Sequence, residues 1–111
     1  MTVRYDVTGP VADGDYLTTY MDADFSQCEL SSIRFFDADG VQVTPSAGSV
    51  TFSGTPDGVN YRDIQDGAFN AADAYAFGRT PPYAEGLMIK AKVALTGITG
   101  AESFHAIVWR V

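Results

Sequence analysis

Short alternations of apolar and polar residues run along most of the chain, and Gly, Asp and Pro interrupt them repeatedly. This pattern is typical of antiparallel strands joined by tight turns, and a helical period is almost absent. Val3, Tyr5 and Val7 share one face of a first strand, which we expect Thr8-Gly9-Pro10 to end because proline donates no hydrogen bond to a sheet. Residues 16–21 and 30–36 predict two further strands, since both are rich in aromatic and β-branched residues.

Two hairpins are predicted in the middle of the chain. Asp37-Ala38-Asp39-Gly40 separates the strand at 30–36 from residues 41–43, and Asp-Gly tolerates the positive φ angles of a hairpin corner. Gly54-Thr55-Pro56-Asp57-Gly58 likewise separates residues 49–53 from residues 59–64.

An irregular loop is predicted at about residues 66–86. Asn70 is placed to cap a short helical turn over residues 71–74, and Pro81-Pro82 prevents a regular element beyond it. Long loops of compact domains often carry function or contact a partner. This loop is rich in aromatic residues and arginine, which dominate interface energetics: Phe69, Tyr75, Phe77, Arg79 and Tyr83.

Two strands are predicted at the C-terminus. The first alternates Leu87, Ile89, Ala91, Val93 and Leu95 with Met88, Lys90, Lys92 and Ala94, and residues 96–100 form its connection. The second, residues 103–111, has Phe104, Ala106 and Val108 on one face and Ile107, Trp109 and Val111 on the other, which predicts a central or interface strand. With about seven or eight short strands in all, we expect one all-β domain over residues 1–111, an antiparallel β-sandwich or jelly-roll-like barrel.

Composition narrows the classes of function. The chain has 111 residues, 46% of them hydrophobic, and a formal net charge of −7. A field of that sign repels phosphate backbones and anionic lipids, so we expect neither nucleic acid nor membrane as a partner. The first residues lack the basic start and apolar core of a secretory signal, and the single cysteine, Cys28, fits synthesis in a cytoplasm.

Candidate catalytic and metal-binding residues are few. Asp37-x-Asp39-Gly40 departs from a calcium loop at Val41, and Asp22-x-Asp24 lacks the required glycine, so solvated turn aspartates are the better interpretation. One histidine, His105, and one cysteine do not make a zinc site. A Cys28–His105 pair across a sheet is conceivable, but neither residue lies in a nucleophile motif. We expect no enzyme activity, cofactor or metal, and a hydrolase that uses His105 is the least supported class.

Residues 50–64, VTFSGTPDGVNYRDI, resemble the strand, x-D-G-x-x-[YFW] turn and strand of small β-sandwich virion proteins of tailed bacteriophages. Residues 89–101 extend the resemblance to about half the chain. It implies a head decoration or cement protein, made in the host cytoplasm, that binds the major capsid protein on the outer capsid surface. Such proteins often associate with sister copies as trimers or dimers. A tail or fibre accessory protein is the alternative within this resemblance.

Five residues are candidates for the contacts with capsid or sister copies: Tyr75, Phe77, Arg79, Tyr83 and Trp109. For Phe77 and Trp109, burial in the core is an equally good interpretation, because small sandwiches bury most of their aromatic residues. A carbohydrate-binding module is the competing class, with sugar rings stacked on exposed tyrosines. The candidates for that platform are Tyr16, Tyr20, Tyr61 and Tyr75.

Overall fold

The computed structural model describes residues 3–20, 28–73 and 88–110. They form eight strands and one 3₁₀ helix: β1 (Val3–Pro10), β2 (Gly14–Leu17), β3 (Cys28–Phe36), β4 (Gln42–Val43), β5 (Ala47–Thr55), β6 (Arg62–Asn70), the 3₁₀ helix (Ala71–Asp73), β7 (Lys90–Thr99) and β8 (Ser103–Arg110). Within these ranges no helix is long and apolar enough to cross a membrane.

The strands form two four-stranded antiparallel sheets. Sheet A has the order β1-β8-β3-β4, and sheet B has the order β2-β7-β5-β6. The sheets pack face to face, which confirms the predicted all-β sandwich. Strand β8 lies between β1 and β3, so the prediction of a central last strand is also confirmed.

The core lies between the two sheets and takes every second residue of the paired strands. Sheet A contributes Val7, Ile33, Phe35, Phe104, Ala106 and Val108, and sheet B contributes Val50, Phe52, Ala91, Val93, Leu95 and Ile98. The alternation of Phe104, Ala106 and Val108 was visible in the sequence, because only one face of β8 turns toward sheet B.

Both predicted hairpins are present. Phe35 pairs with Val43 and Phe36 with Gln42 across the Asp37–Gly40 turn, where Gly40 has a φ of +80°. Strands β5 and β6 pair as Ser53 with Asp63 and Gly54 with Arg62, on either side of the second predicted turn.

The predicted end of the first strand is wrong. Strand β1 continues through Gly9 to Pro10, which pairs with Ser103. Proline is tolerated there because β1 is an edge strand and one side of its backbone needs no partner within the sheet. The predicted strand at residues 16–21 is also shifted, since β2 begins at Gly14 and ends at Leu17.

The connection predicted at residues 96–100 is wrong as well. Strand β7 continues to Thr99, and its pairing with β5 shifts between Ala47 and Ser49. Gly97, with a φ of +63°, lies in the extra segment of this bulge, and Ile98 returns to the core. Gly97, which the local sequence places in a turn, is therefore part of a bulge within a longer strand.

The irregular loop begins later than predicted. Strand β6 runs to Asn70, because the partners of β5 include Ala68, Phe69 and Asn70. The short helical turn is present as the 3₁₀ helix at Ala71–Asp73. The remainder of the predicted loop, residues 74–86, lies outside the described residues.

Candidate functional site

The outer face of sheet A carries an apolar row along its central strand. Ile107 and Trp109 of β8 are half-buried, and they alternate with the core residues of the same strand. On either side of Trp109, the register places Arg4 of β1 and Glu29 of β3. Trp109 is thus neither a core residue nor fully exposed. We call Ile107, Trp109 and their neighbour His105 the β8 row.

Charged groups border the β8 row. The Nε2 atom of His105 lies 2.6 Å from Oδ1 of Asp6, and the Arg4 guanidinium donates to the same oxygen over 2.9 Å. The hydrogen bonds from Arg4 and then from His105 hold the pKa of the Asp6 carboxyl below its ordinary value of 3.8. Arg34 is exposed and lies directly opposite His105 on β3. Arg4, Asp6 and His105 thus form a hydrogen-bonded border on the β1 side of the row, and Arg34 lies on the β3 side.

The strand register separates Cys28 from His105. Cys28 lies opposite Arg110, whereas His105 lies opposite Arg34, so the two positions are five residues apart along β8. At about 3.4 Å per residue this is about 17 Å, far beyond hydrogen-bond reach. A Cys28–His105 pair is therefore ruled out by the sheet register.

One of the five predicted interface residues, Trp109, lies within the described residues. Tyr75, Phe77, Arg79 and Tyr83 lie outside the described residues, as do Asp22 and Asp24. Trp109 is the described member of the predicted set, and its half-buried position on the outer face of sheet A keeps it a candidate contact residue.

The predicted tyrosine platform is only partly assembled. Tyr16 pairs with the core residue Val93 and packs edge-on against Phe104, with ring centroids 4.8 Å apart. Its hydroxyl donates to the carbonyl of Ala12. Tyr16 is therefore partly buried against the core and is not a platform residue, and Tyr75 lies outside the described residues.

Tyr20 and Tyr61 come together on the outer face of sheet B. The Lys90 ammonium lies 4.7 Å from the ring centroid of Tyr20, and the Lys92 ammonium lies 4.3 Å from that of Tyr61. Asp15 completes the group, with a carboxylate oxygen 3.7 Å from Lys92 Nζ. We call these five residues the tyrosine–lysine face.

Sequence reasoning named both tyrosines but missed their lysine partners. Lys90 and Lys92 lie on β7, which is an interior strand between β2 and β5. Their i, i+2 spacing did place them on one face, as observed. The tyrosines come from distant segments, so the contacts were not visible in the sequence.

A hydrogen-bonded loop fixes the position of Tyr61. The Asp57 carboxylate accepts hydrogen bonds from the backbone N–H groups of Val59 and Asn60, from the Asn60 amide and from the Thr55 hydroxyl. These bonds, the backbone ones first, hold the pKa of Asp57 far below its ordinary 3.8. The loop thus leads to Tyr61 in one defined conformation.

Burial and the surrounding charges change the pKa of Tyr61. Burial raises the pKa of the Tyr61 phenol, and the nearby Tyr20, Asp15 and Asp57 raise it further. The phenol is therefore neutral and able to donate a hydrogen bond at physiological pH. The Tyr20 hydroxyl lies near the same loop, because a side chain added at Gly58 would place its Cβ 3.7 Å from the hydroxyl oxygen.

Thr18 anchors the segment that carries Tyr20. Its backbone N–H donates to the carbonyl of Ala91, and its hydroxyl accepts from the N–H of Ala91 over 3.0 Å. These bonds extend the β2–β7 pairing by one residue beyond Leu17. Beneath the face, the buried Ser53 lies opposite Lys92, and its hydroxyl has no hydrogen-bond partner in the described part of the chain.

The turn aspartates have backbone partners. Asp37 accepts from the N–H groups of Asp39 and Val41, each over 2.9 Å, which is the Asx turn expected of a hairpin corner. Among the residues that the structure describes, no group of three or more His, Cys, Asp or Glu side chains is arranged to hold a metal ion.

Comparison with known families matches residues 16–110 to a family described as "Domain of unknown function (DUF7265)". The match begins within β2, runs through β8 and leaves β1 outside it. No curated protein and no solved structure matches the chain.

Proposed function

The chain belongs to the DUF7265 family, whose description names no activity. From its resemblance to phage virion proteins and from its geometry, we propose that it is a non-enzymatic decoration protein of a tailed-phage head. In this proposal it binds the major capsid protein on the outer surface of the shell and stabilises the shell. The observation that carries the proposal is the β8 row, with Trp109 half-buried on the outward face of a central strand.

The β8 row has the composition of a docking surface. Tryptophan and arginine are enriched among residues that dominate binding energy, and apolar centres bordered by polar groups are the usual anatomy of interfaces. Here Ile107 and Trp109 form the apolar centre, and Arg4, Asp6 and His105 form a hydrogen-bonded border. Since the row lies on a central strand, its geometry is fixed before binding, which lowers the entropic cost of association.

The net charge of −7 supports an outward position. An acidic domain is repelled from packaged DNA and remains soluble at high local concentration on a particle. Symmetric self-association is common for small proteins, so trimers or dimers of sister copies are part of the proposal.

Copy number tests the proposal directly. Quantitative mass spectrometry of purified particles gives the amount of this protein relative to the major shell subunit. A ratio near one supports head decoration, a few copies per particle would replace it with the tail or fibre accessory alternative, and absence from particles would reject both.

A variant tests the docking face. We expect Trp109→Ala to reduce binding to shells that lack the protein at least tenfold, because a central aromatic contact is lost. Val59→Ala is the matched control, since Val59 is an exposed apolar residue of the loop beside sheet B. Equal binding by both variants, with both folded, would reject the β8 row as the docking surface.

A further inference from the structure

We propose that the tyrosine–lysine face is a binding site for neutral saccharides, with a pyranose ring seated against Tyr20 and Tyr61. The face lies on sheet B, on the opposite side of the sandwich from the β8 row. The proposal is therefore independent of capsid docking, and both surfaces can be occupied in one molecule.

Tyr20 has the exposure that stacking requires, and half-buried Tyr61 lies beside it. Tyr20 is 68% exposed, and Lys90 lies over its ring at 4.7 Å. A cation over an aromatic ring is attracted by the negative face of the ring, and this attraction restrains both side chains. Tyr61 is held in the same way by Lys92 and by the Asp57 loop. The C–H face of a pyranose packs on such rings, while its hydroxyls remain at the rim.

The polar groups of the face match the hydroxyls of a sugar. Lys92 and Asp15 stand 3.7 Å apart, and the Asp15 carboxylate is 60% exposed. An ammonium donates and a carboxylate accepts, so the pair can bind two neighbouring hydroxyls, each of which both donates and accepts. Lys90 has no ion-pair partner among the described residues, which leaves its donors available for a further hydroxyl.

Charge balance favours a neutral ligand over an acidic one. Lys90 and Lys92 are offset on this outer face by Asp15 and by Asp63, which lies opposite Ser53 in the sheet register. With Asp57, which also lies near Tyr61, the acidic groups outnumber the two lysines by one, and the whole protein carries −7. A carboxylated or sulfated sugar would meet no net attraction here and long-range repulsion.

Two devices keep the site assembled without ligand. The Thr18 hydrogen bonds to Ala91 hold the segment of Tyr20 against β7, and the Asp57 carboxylate closes the loop before Tyr61. A preformed site loses little entropy on binding. The face is open and shallow, so we expect dissociation constants of about 0.1–10 mM, the range of weak, partly solvated contacts.

The test is a titration of the ¹⁵N-labelled protein with defined oligosaccharides followed by amide chemical shifts. The neutral probes are maltohexaose, cellohexaose, laminarihexaose, mannohexaose and chitohexaose, and the acidic probes are hexamers of galacturonate and of hyaluronan. We expect saturable shifts at Tyr20, Tyr61, Lys90 and Lys92 with at least one neutral probe, and none at Trp109.

Variants localise the binding. Tyr20→Ala is expected to weaken binding at least fivefold without loss of fold, because Tyr20 is mostly exposed. Lys90→Gln tests the polar rim, and the exposed Arg34→Gln on sheet A is the control that should bind as the wild type does. No shifts with any neutral probe at 10 mM, shifts with acidic probes alone, or shifts unaffected by Tyr20→Ala would each overturn the proposal. The copy-number measurement is unaffected by any of these outcomes.

Discussion

Replacing Thr18 by valine removes one hydroxyl and keeps the β-branched shape of the side chain. Thr18 is 4% exposed, and its hydroxyl is the acceptor for the N–H of Ala91, which is fully buried. In Thr18→Val this N–H has no acceptor. A buried donor left unpaired costs about 1–3 kcal/mol.

The cost converts into a measurable shift of the melting temperature. With an unfolding entropy of about 2.1 cal/mol/K per residue, 111 residues give roughly 0.23 kcal/mol/K, so 1–3 kcal/mol lowers Tm by about 4–13 °C. Calorimetry measures this shift, and hydrogen exchange at the Ala91 amide reports the lost bond itself. Saccharide binding should weaken in parallel, because Thr18 fixes the segment of Tyr20.

Thr18→Ser is the matched control. It keeps the acceptor and loses one buried methyl group, worth about 0.8 kcal/mol, so the Ala91 amide should stay protected from exchange. The reasoning would be refuted if Thr18→Val left both Tm and the exchange rate of the Ala91 amide unchanged. It would also be refuted if the serine variant lost protection as completely as the valine variant.

Three further predictions concern stability. Gly48→Ala should lower the free energy of unfolding, measured by urea denaturation, by at least 1 kcal/mol more than Gly97→Ala does. Both glycines have positive φ, which costs an L-residue about 1–2 kcal/mol, but only at Gly48 would a Cβ meet backbone, 2.6 Å from Ile98 Cα. Equal losses of unfolding free energy would contradict this. Ser53→Ala should leave Tm unchanged or raise it, because it removes a buried unpaired hydroxyl, and a marked fall would show a missed partner. The lowered pKa of Asp57 implies stability that is fully present above its ordinary 3.8 and is lost as pH falls toward the lower folded value. Urea midpoints between pH 5 and pH 2 should therefore fall less steeply in Asp57→Asn than in the wild type, and identical slopes would contradict the assignment.

The fold was predictable where local pattern and tertiary packing agree. The inward face of β8, with Phe104, Ala106 and Val108, and the Asp57-Gly58 turn were both visible in the sequence. The errors fell on residues with two structural meanings. Gly97 signals a turn locally, but in the sheet it forms a bulge that returns Ile98 to the core, and Pro10 is acceptable because its strand is at an edge.

The candidate sites were predictable only in part. Trp109 and the tyrosines were named from residue type, but residue type does not separate Tyr16, which packs against the core, from Tyr20, which is exposed. That distinction depends on which face of sheet B each tyrosine lies on. The contacts of Lys90 and Lys92 depend on the order β2-β7-β5, which a single sequence does not reveal.

Strand β1 has a consequence for any shortened form of the protein. It supplies partners for β8 from Val3 to Pro10, yet it lies outside the family match at residues 16–110. A chain cut to that span would leave β8 with a long row of unpaired backbone groups beside apolar side chains, which is a template for adding strands from other molecules. We therefore expect the shortened chain to associate through the exposed edge of β8, and a peptide of residues 3–10 added in excess to keep it monomeric.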